Sequence, residues 1–452
     1  MKMIFLLVFC CVLVTTPVFA TKDWRHTTEN AAFVHRAIKN VTDIIVFDIY
    51  SPPVASRTYA YTTIAGYEAA LPANPGYRSF AGQLTGLNPL PVLTSEKPAF
   101  SASLSAVTAI VHVAKTMIIS EQKLVTAYEQ LLKEFEQSGM PKETYQNSIA
   151  YGKMVSVHIL AWAAKDNYRQ TRSLPRYSII EEPDTWKPTP PAYIKAIEPH
   201  WSRIRPFVID SAQQFTPPPP TKFSTDTSAP FYQEALSVYK AGLKLTPRQE
   251  ELANFWDCNP FKMNVRGHVL FATKKISPGG HWINITALCS KKAGAGIAQS
   301  LEAYASVAIA IADGFISCWD EKYRSNVIRP ETYINQYIDP NWQPLLQTPP
   351  FPEYTSGHSV ISTAAAIMLS RLFGEHFNFT DSSEMEFGLP ARKFKSFKDA
   401  AAEAAISRYY GGIHYMPAIE NGIKEGGQVG TYVSRKLVTR KENSTVTAAM
   451  SK

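Results

Sequence analysis

The spacing of apolar residues divides the chain into helical stretches on either side of a long segment that cannot be regular helix. In Thr28 to Tyr50, Ser101 to Gly139 and Lys142 to Ala164, apolar side chains recur at three- and four-residue intervals, the period that turns one stripe of a helix toward a core. The N-terminal half is therefore predicted as a helical bundle. From Arg172 to Pro220 the pattern breaks, with Trp186, Pro188, Pro190, Pro191, Trp201 and the run Pro217 to Pro220. Proline lacks the N–H and the torsional freedom an interior helical turn needs, so this segment reads as a connector draped over two units. Periodicity resumes near Pro230 and returns in Gly296 to Asp313, Ser359 to Phe373, Ala400 to Tyr409 and Ile419 to Lys436. No strand-rich region or short repeat is evident. The expected fold class is all-α, with two packed helical bundles at 21–171 and 230–440, a proline-rich connector at 172–229 and a tail at 441–452. A chain of 452 residues is long enough for two such cores.

The ends and the composition narrow the setting. Residues 1–20 combine Lys2, an apolar run from Ile4 to Val14, and Val18-Phe19-Ala20, which reads as a secretory signal peptide with the mature chain starting at Thr21. Export to a periplasmic or extracellular location follows. The run Ala303 to Ala312 is short and flanked by Glu302 and Asp313, so it is expected as a buried bundle helix with no stable membrane insertion. With 46 Lys and Arg against 38 Asp and Glu, the net charge is +8, spread without a dense basic run. That argues against a nucleic-acid partner and places any anion preference inside a pocket. Beyond the leader lie Cys258, Cys289 and Cys318, an odd number without Cys-x2-Cys spacing. They suggest neither a disulfide framework nor a zinc knuckle, although one pair is free to bridge. Oligomeric state cannot be read from the sequence.

Candidate chemistry is concentrated in 93 positions of the C-terminal half. Lys322 and Arg329-Pro330, then Ser356-Gly357-His358, then Ser407-Arg408 and His414 supply three cations, a hydroxyl, helix-opening N–H groups and two imidazoles. Guanidinium forks match oxyanions, lysine adds a point charge, and a helix N-terminus attracts negative charge. The set describes a pocket for a tetrahedral anion. Pro330 disfavours α conformation at Arg329, placing it on an exit loop. Thr355 to His358 can cap and open the following helix, and Gly411-Gly412 can end the helix carrying Arg408 and turn His414 back toward the pocket.

The three blocks, Lys-x6-Arg-Pro, Ser-Gly-His and Ser-Arg-x5-His, resemble the signature of the vanadium-dependent haloperoxidases and of their type-2 phosphatidic acid phosphatase relatives. Asp313 to Pro330 most resembles the bacterial iodoperoxidase-like branch. The resemblance implies a vanadate cofactor bound to the metal ligand His414, with its oxygens held by Lys322, Arg329, Ser356, Gly357 and Arg408. It further implies His358 as acid–base residue, Asp257 orienting it, and Trp319 and Phe351 on the halide side. Hydrogen peroxide and halide, iodide first, would be the substrates. Two positions depart from the pattern: Thr355 replaces a proline, and Ala418 stands where an aspartate usually follows the last histidine by four. Glu420, a water or a backbone carbonyl must then orient His414.

Two alternatives share the pocket. An acid phosphatase would use His414 as a nucleophile, through a phosphohistidine, and a non-catalytic protein would only bind the oxyanion. The missing aspartate weighs more against a histidine that must be loaded and unloaded each cycle than against a metal ligand. A divalent-metal hydrolase built on His268, His281, His358 and His414 is disfavoured, because the ligands are scattered and no His-Glu-x2-His element occurs.

Overall fold

The computed structural model describes residues 23–91, 99–266 and 269–441. The leader and His268 lie outside the described residues, as does most of the tail. The first half consists of α1 (Trp24–Thr28), α2 (Ala32–Phe47), α3 (Pro52–Ala70), α4 (Ala102–Met117), α5 (Glu121–Gln137), α6 (Lys142–Ala163) and α7 (Tyr168–Thr171). The second contains α8 (Pro230–Gly242), α9 (Pro247–Phe255), α10 (Pro278–Lys292), α11 (Ile297–Ser325) and α12 (Pro330–Tyr337). It ends with α13 (Gly357–Phe373), α14 (Phe397–Tyr410) and α15 (Met416–Lys436). Two small antiparallel hairpins interrupt it: β1 (Met263–Arg266) with β2 (Val269–Ala272), and β3 (Phe379–Asp381) with β4 (Arg392–Phe394). The protein is all-α, as expected.

Among the departures from the periodic reading, two have identifiable reasons. The stretch Ser101 to Gly139 is two helices, because the Asp48 carboxylate at the end of α2 accepts the N–H groups of Ile119 and Ser120 and the Ser120 hydroxyl, fixing a break. Helix α3 was not anticipated. Pro52 and Pro53 open it, where a missing N–H costs nothing. Its alanine, threonine and tyrosine side chains are buried nearly all round, so no amphipathic stripe marks it.

Helix α11 packs against α3 on one side and against α10, α13 and α15 on others, and the principal core contains Ile38 and Ile64 together with Leu301, Ile309, Val360 and Val429. Among the described residues α11 is the one helix long and apolar enough to cross a membrane, and its apolar stretch is entirely buried in protein. The connector is tied to it by hydrogen bonds. The Asp313 carboxylate accepts N–H groups from Phe207, Val208 and Ile209 at 2.7, 2.8 and 3.0 Å, and burial raises its pKa to about 6 against the pull of those bonds. The Ile197 carbonyl accepts the Trp319 indole N–H and the Tyr323 hydroxyl. All three described cysteines are buried and free, so no pair bridges.

The approach of α15 to α13 positions the pocket. A Cβ at Gly426 would stand 2.1 Å from the Val360 carbonyl oxygen, and one at Gly422 would stand 2.9 Å from Ser359 Cβ. Only glycine permits that contact. It brings the start of α15, where His414 sits, beside the start of α13.

Candidate active site

Each anchor reaches the pocket from a helix end. Arg329 is the extended N-cap of α12, with φ −78° and ψ 151°, as its following proline requires. Its guanidinium donates from Nε to the Phe351 carbonyl and from Nη1 to the Ile413 carbonyl, both at 2.9 Å, while the buried Nη2 has no partner. Burial pushes its pKa down to about 10. Lys322 lies in the last turns of α11, fully buried, and donates to the carbonyls of Pro352, Glu353 and Thr355. An ammonium has three N–H bonds, so all are committed to the chain entering α13. Burial, with Arg329 nearby, lowers its pKa to about 8.

Ser356 is the N-cap of α13, its hydroxyl accepting from Ser359 N–H at 3.4 Å and its own N–H donating to the Ala418 carbonyl at 3.0 Å. Gly357 opens the helix, whose first N–H groups have no intrahelical acceptor. From α14, Arg408 donates through Nη1 to the Trp256 carbonyl at 2.8 Å, leaving its buried Nε unpartnered. Gly411 caps α14 and Gly412, with φ 75°, reverses the chain toward His414.

The residue that orients His414 is Glu353. Its Oε1 lies 2.7 Å from His414 Nδ1 and also accepts the Tyr415 N–H at 3.0 Å. Glu420, the candidate from the sequence, is exposed on α15. On the other side of the ring, Arg329 Nη1 lies 3.2 Å from Nε2. A guanidinium can only donate, so Nε2 carries the lone pair and Nδ1 the proton. Glu353 Oε1 then accepts from both neighbours. Burial raises the Glu353 pKa to about 7, opposed by Arg329 and Lys322. Burial, followed by those same cations and Arg408, pushes His414 well below the ordinary histidine value. The result is a neutral imidazole in a defined tautomer.

His358 is half-buried and differently placed. Its Nε2 has no partner, and the Trp256 carbonyl, already bound by Arg408, is its backbone acceptor. Burial and the charge of Arg408 hold its pKa well below the ordinary value. Asp257 does not join it. That carboxylate pairs with Lys275 at 2.7 Å and Lys262 at 3.5 Å, because the chain turn at Trp256 to Cys258 presents the Trp256 carbonyl, not the next side chain, to the imidazole. Asp257 acts on the pocket only as a charge favouring protonated Arg408.

Trp319 and Phe351 pack with ring centroids 4.9 Å apart, and Lys322 Nζ stands 5.2 Å from the Phe351 ring. Both aromatics line a narrow cavity of about 30 Å³ together with Gly357, His358, Arg408 and His414. The sequence-derived anchors therefore converge.

A family model described as "VCPO second helical-bundle domain" matches residues 302–442. Among solved structures, the first bacterial vanadium-dependent iodoperoxidase is 46% identical, with a TM-score of 0.86 over 92% of this chain and 99% of that one. The chain belongs to the vanadium-dependent haloperoxidases. A bacterial vanadium-dependent chloroperoxidase in its holo form shares the fold at 15% identity, with a TM-score of 0.66 over 90% of this chain and 98% of that one. A search of curated proteins gave no significant match.

A haloperoxidase of this family oxidises halide with hydrogen peroxide and uses vanadate as cofactor, and the residues present fit that anion. Lys322, Arg329 and Arg408 are all buried, and none forms an ion pair among the described residues. Three buried cations without an ion-pair partner, with Glu353, Glu425 and Asp257 acting on them only through space, favour an anion between them. Arg329 Nη2, Arg408 Nε and His358 Nε2 are the unsatisfied polar atoms that such an anion would engage. Glu353 was missed by sequence reasoning; its one signal is its place three residues before the Ser356 cap, among Pro349, Pro350, Phe351, Pro352 and Tyr354.

Proposed function

We propose that this haloperoxidase oxidises iodide in preference to other halides, using hydrogen peroxide, at vanadate held by His414 Nε2. Arg329, Arg408, Ser356 and the Gly357 N–H receive the vanadate oxygens, and Lys322 contributes charge while its N–H groups hold the loop. Bound vanadate supplies a Lewis-acidic centre that activates peroxide toward halide without changing its own oxidation state. His358, neutral and with Nε2 unpartnered, exchanges a proton with the oxygen substrate. Asp257 supports Arg408 through space, and Trp319 with Phe351 forms the apolar wall against which halide sheds water. The observation that carries the assignment is the neutral His414, clamped at Nδ1 by Glu353 with its Nε2 lone pair among three buried cations. The likeness to the iodoperoxidase supports iodide, the leader at residues 1–20 supports export, and the buried apolar stretch of α11 and the scattered basic residues support a protein without membrane insertion or nucleic-acid partner.

Ala418 does not weigh against a phosphatase, since Glu353 supplies the carboxylate at His414 Nδ1. The sign of the vanadate effect decides instead. Metal-free protein is assayed for peroxide-dependent iodide oxidation and for phosphomonoester hydrolysis, each with and without orthovanadate. Activation of iodide oxidation is expected, together with its loss in excess phosphate. Ester hydrolysis inhibited by vanadate, without halide oxidation, would reverse the assignment.

A further inference from the structure

Next to the vanadate pocket lies a second set of ligand-type side chains that the haloperoxidase chemistry does not use. Cys258, after α9, His281 in α10 and Glu384, after β3, come together from 126 positions of sequence, and all three are buried. Cys258 Sγ lies 3.3 Å from His281 Nδ1 and 3.9 Å from Glu384 Oε1, and His281 Nδ1 lies 3.3 Å from Glu384 Oε1. The opposite ring nitrogen, His281 Nε2, lies 2.7 Å from Asp381 Oδ2, which is itself fixed by the Ser383 N–H. Trp256 stacks on the imidazole at 4.7 Å and 24°, and Phe255 meets it edge-on at 5.5 Å.

We propose that Cys258, His281 and Glu384 bind a divalent transition-metal ion, zinc by preference, with Asp381 fixing the tautomer of its histidine ligand. Bonds of about 2.0 to 2.3 Å at tetrahedral angles put the donor atoms of a zinc site roughly 3.3 to 3.6 Å apart. Two of the observed separations, 3.3 Å each, match that triangle, and the third, 3.9 Å between Cys258 Sγ and Glu384 Oε1, closes to it with a side-chain shift of a few tenths of an ångström. Sulfur, imidazole and carboxylate are the zinc donor types, and a carboxylate on the far nitrogen of a ligating histidine is the usual orienting contact. Binding expels the thiol proton and the Nδ1 proton and replaces them with the ion, which neutralises the thiolate and the Glu384 carboxylate. Three protein donors leave one tetrahedral position for a small ligand. Cys258 lines the same cavity as His358 and Arg408, so such a ligand has access from the active site.

Cobalt(II) is the probe, because a thiolate ligand gives it a charge-transfer absorption that nitrogen and oxygen ligands do not. Full-length protein produced with cobalt in the medium, purified and loaded with vanadate, is analysed for both metals. One cobalt per chain with the thiolate band is expected. Cys258→Ser removes the band, and Glu384→Gln, which keeps the side-chain volume, weakens cobalt binding at least tenfold. His414→Ala loses vanadium and keeps cobalt, which separates this site from the vanadate site. Folded protein without cobalt, or a band that persists in Cys258→Ser, overturns the proposal; the cluster is then an ion-free imidazolium between two carboxylates.

Discussion

The two sides of the active-site cavity use one residue type in opposite ways. On the α15 side, His414 is held at both ring nitrogens, by the Glu353 carboxylate and by the Arg329 guanidinium. On the α13 side, His358 rests on a backbone carbonyl and leaves Nε2 without a partner. A ligand needs a fixed lone pair, and a proton carrier needs a nitrogen that can change partners. The difference in anchoring, not in intrinsic basicity, distinguishes the roles proposed for the two histidines, since burial pushes both imidazoles well below the ordinary histidine value.

The largest effect that would break this contrast is at His414. His414→Ala should abolish vanadium retention, read by elemental analysis after desalting, and halide oxidation should vanish with it. His358→Ala should keep vanadium and slow turnover by about 10²-fold or more, the usual contribution of a positioned acid–base group. Equal metal loss in both variants would erase the distinction.

Glu353 sharpens the comparison at smaller cost. Glu353→Gln should weaken vanadium affinity about 10- to 100-fold, as losing the orienting partner of a metal-bound histidine does, whereas Glu420→Gln should leave it unchanged. Titration with vanadate at fixed peroxide and iodide distinguishes them; a similar effect of both substitutions would show that the Glu353 contact does not set the ligand's orientation.

The smallest effect is a pH dependence. In metal-free folded protein His358 remains neutral at a pH somewhat below 6.5, while the unfolded chain takes up the proton near 6.5. Its folded pKa is lowered, so the unfolded state binds more protons on the acid side, and its contribution to stability declines as pH falls through 6.5. His358→Ala should therefore lose less stability than the parent between about pH 7 and pH 5.5, measured by denaturant midpoint. Imidazole carbon shifts that titrate at the ordinary value would contradict the buried, neutral ring.

The helical class and the convergence of Lys322, Arg329, Ser356, Gly357, His358, Arg408 and His414 were readable because each depends on local rules: period, proline placement, capping and a glycine reversal. Glu353 was not. It meets His414 across 61 positions, through the approach of α15 to α13, and no local pattern encodes that meeting. Asp257, which the family resemblance offered as the partner of His358, does not reach it: the neighbouring Trp256 carbonyl makes the contact, and the carboxylate pairs with Lys275. Helix α3 escaped because periodicity disappears when every face is buried. The Cys258, His281 and Glu384 cluster has no spacing signature, its members arriving from three separate elements.

Helix α11 carries a consequence for how the molecule comes apart. Its 29 residues extend roughly 43 Å at 1.5 Å per residue, with Glu302 near one end clasped by Arg440 and Thr439, Asp313 holding the connector, and Trp319 and Lys322 at the cavity. Because neighbours from both halves cover it, neither half can release it without exposing a continuous apolar surface. Melting should then be one cooperative event, and a proteolytic nick in the connector should leave two fragments that stay together until the whole chain unfolds.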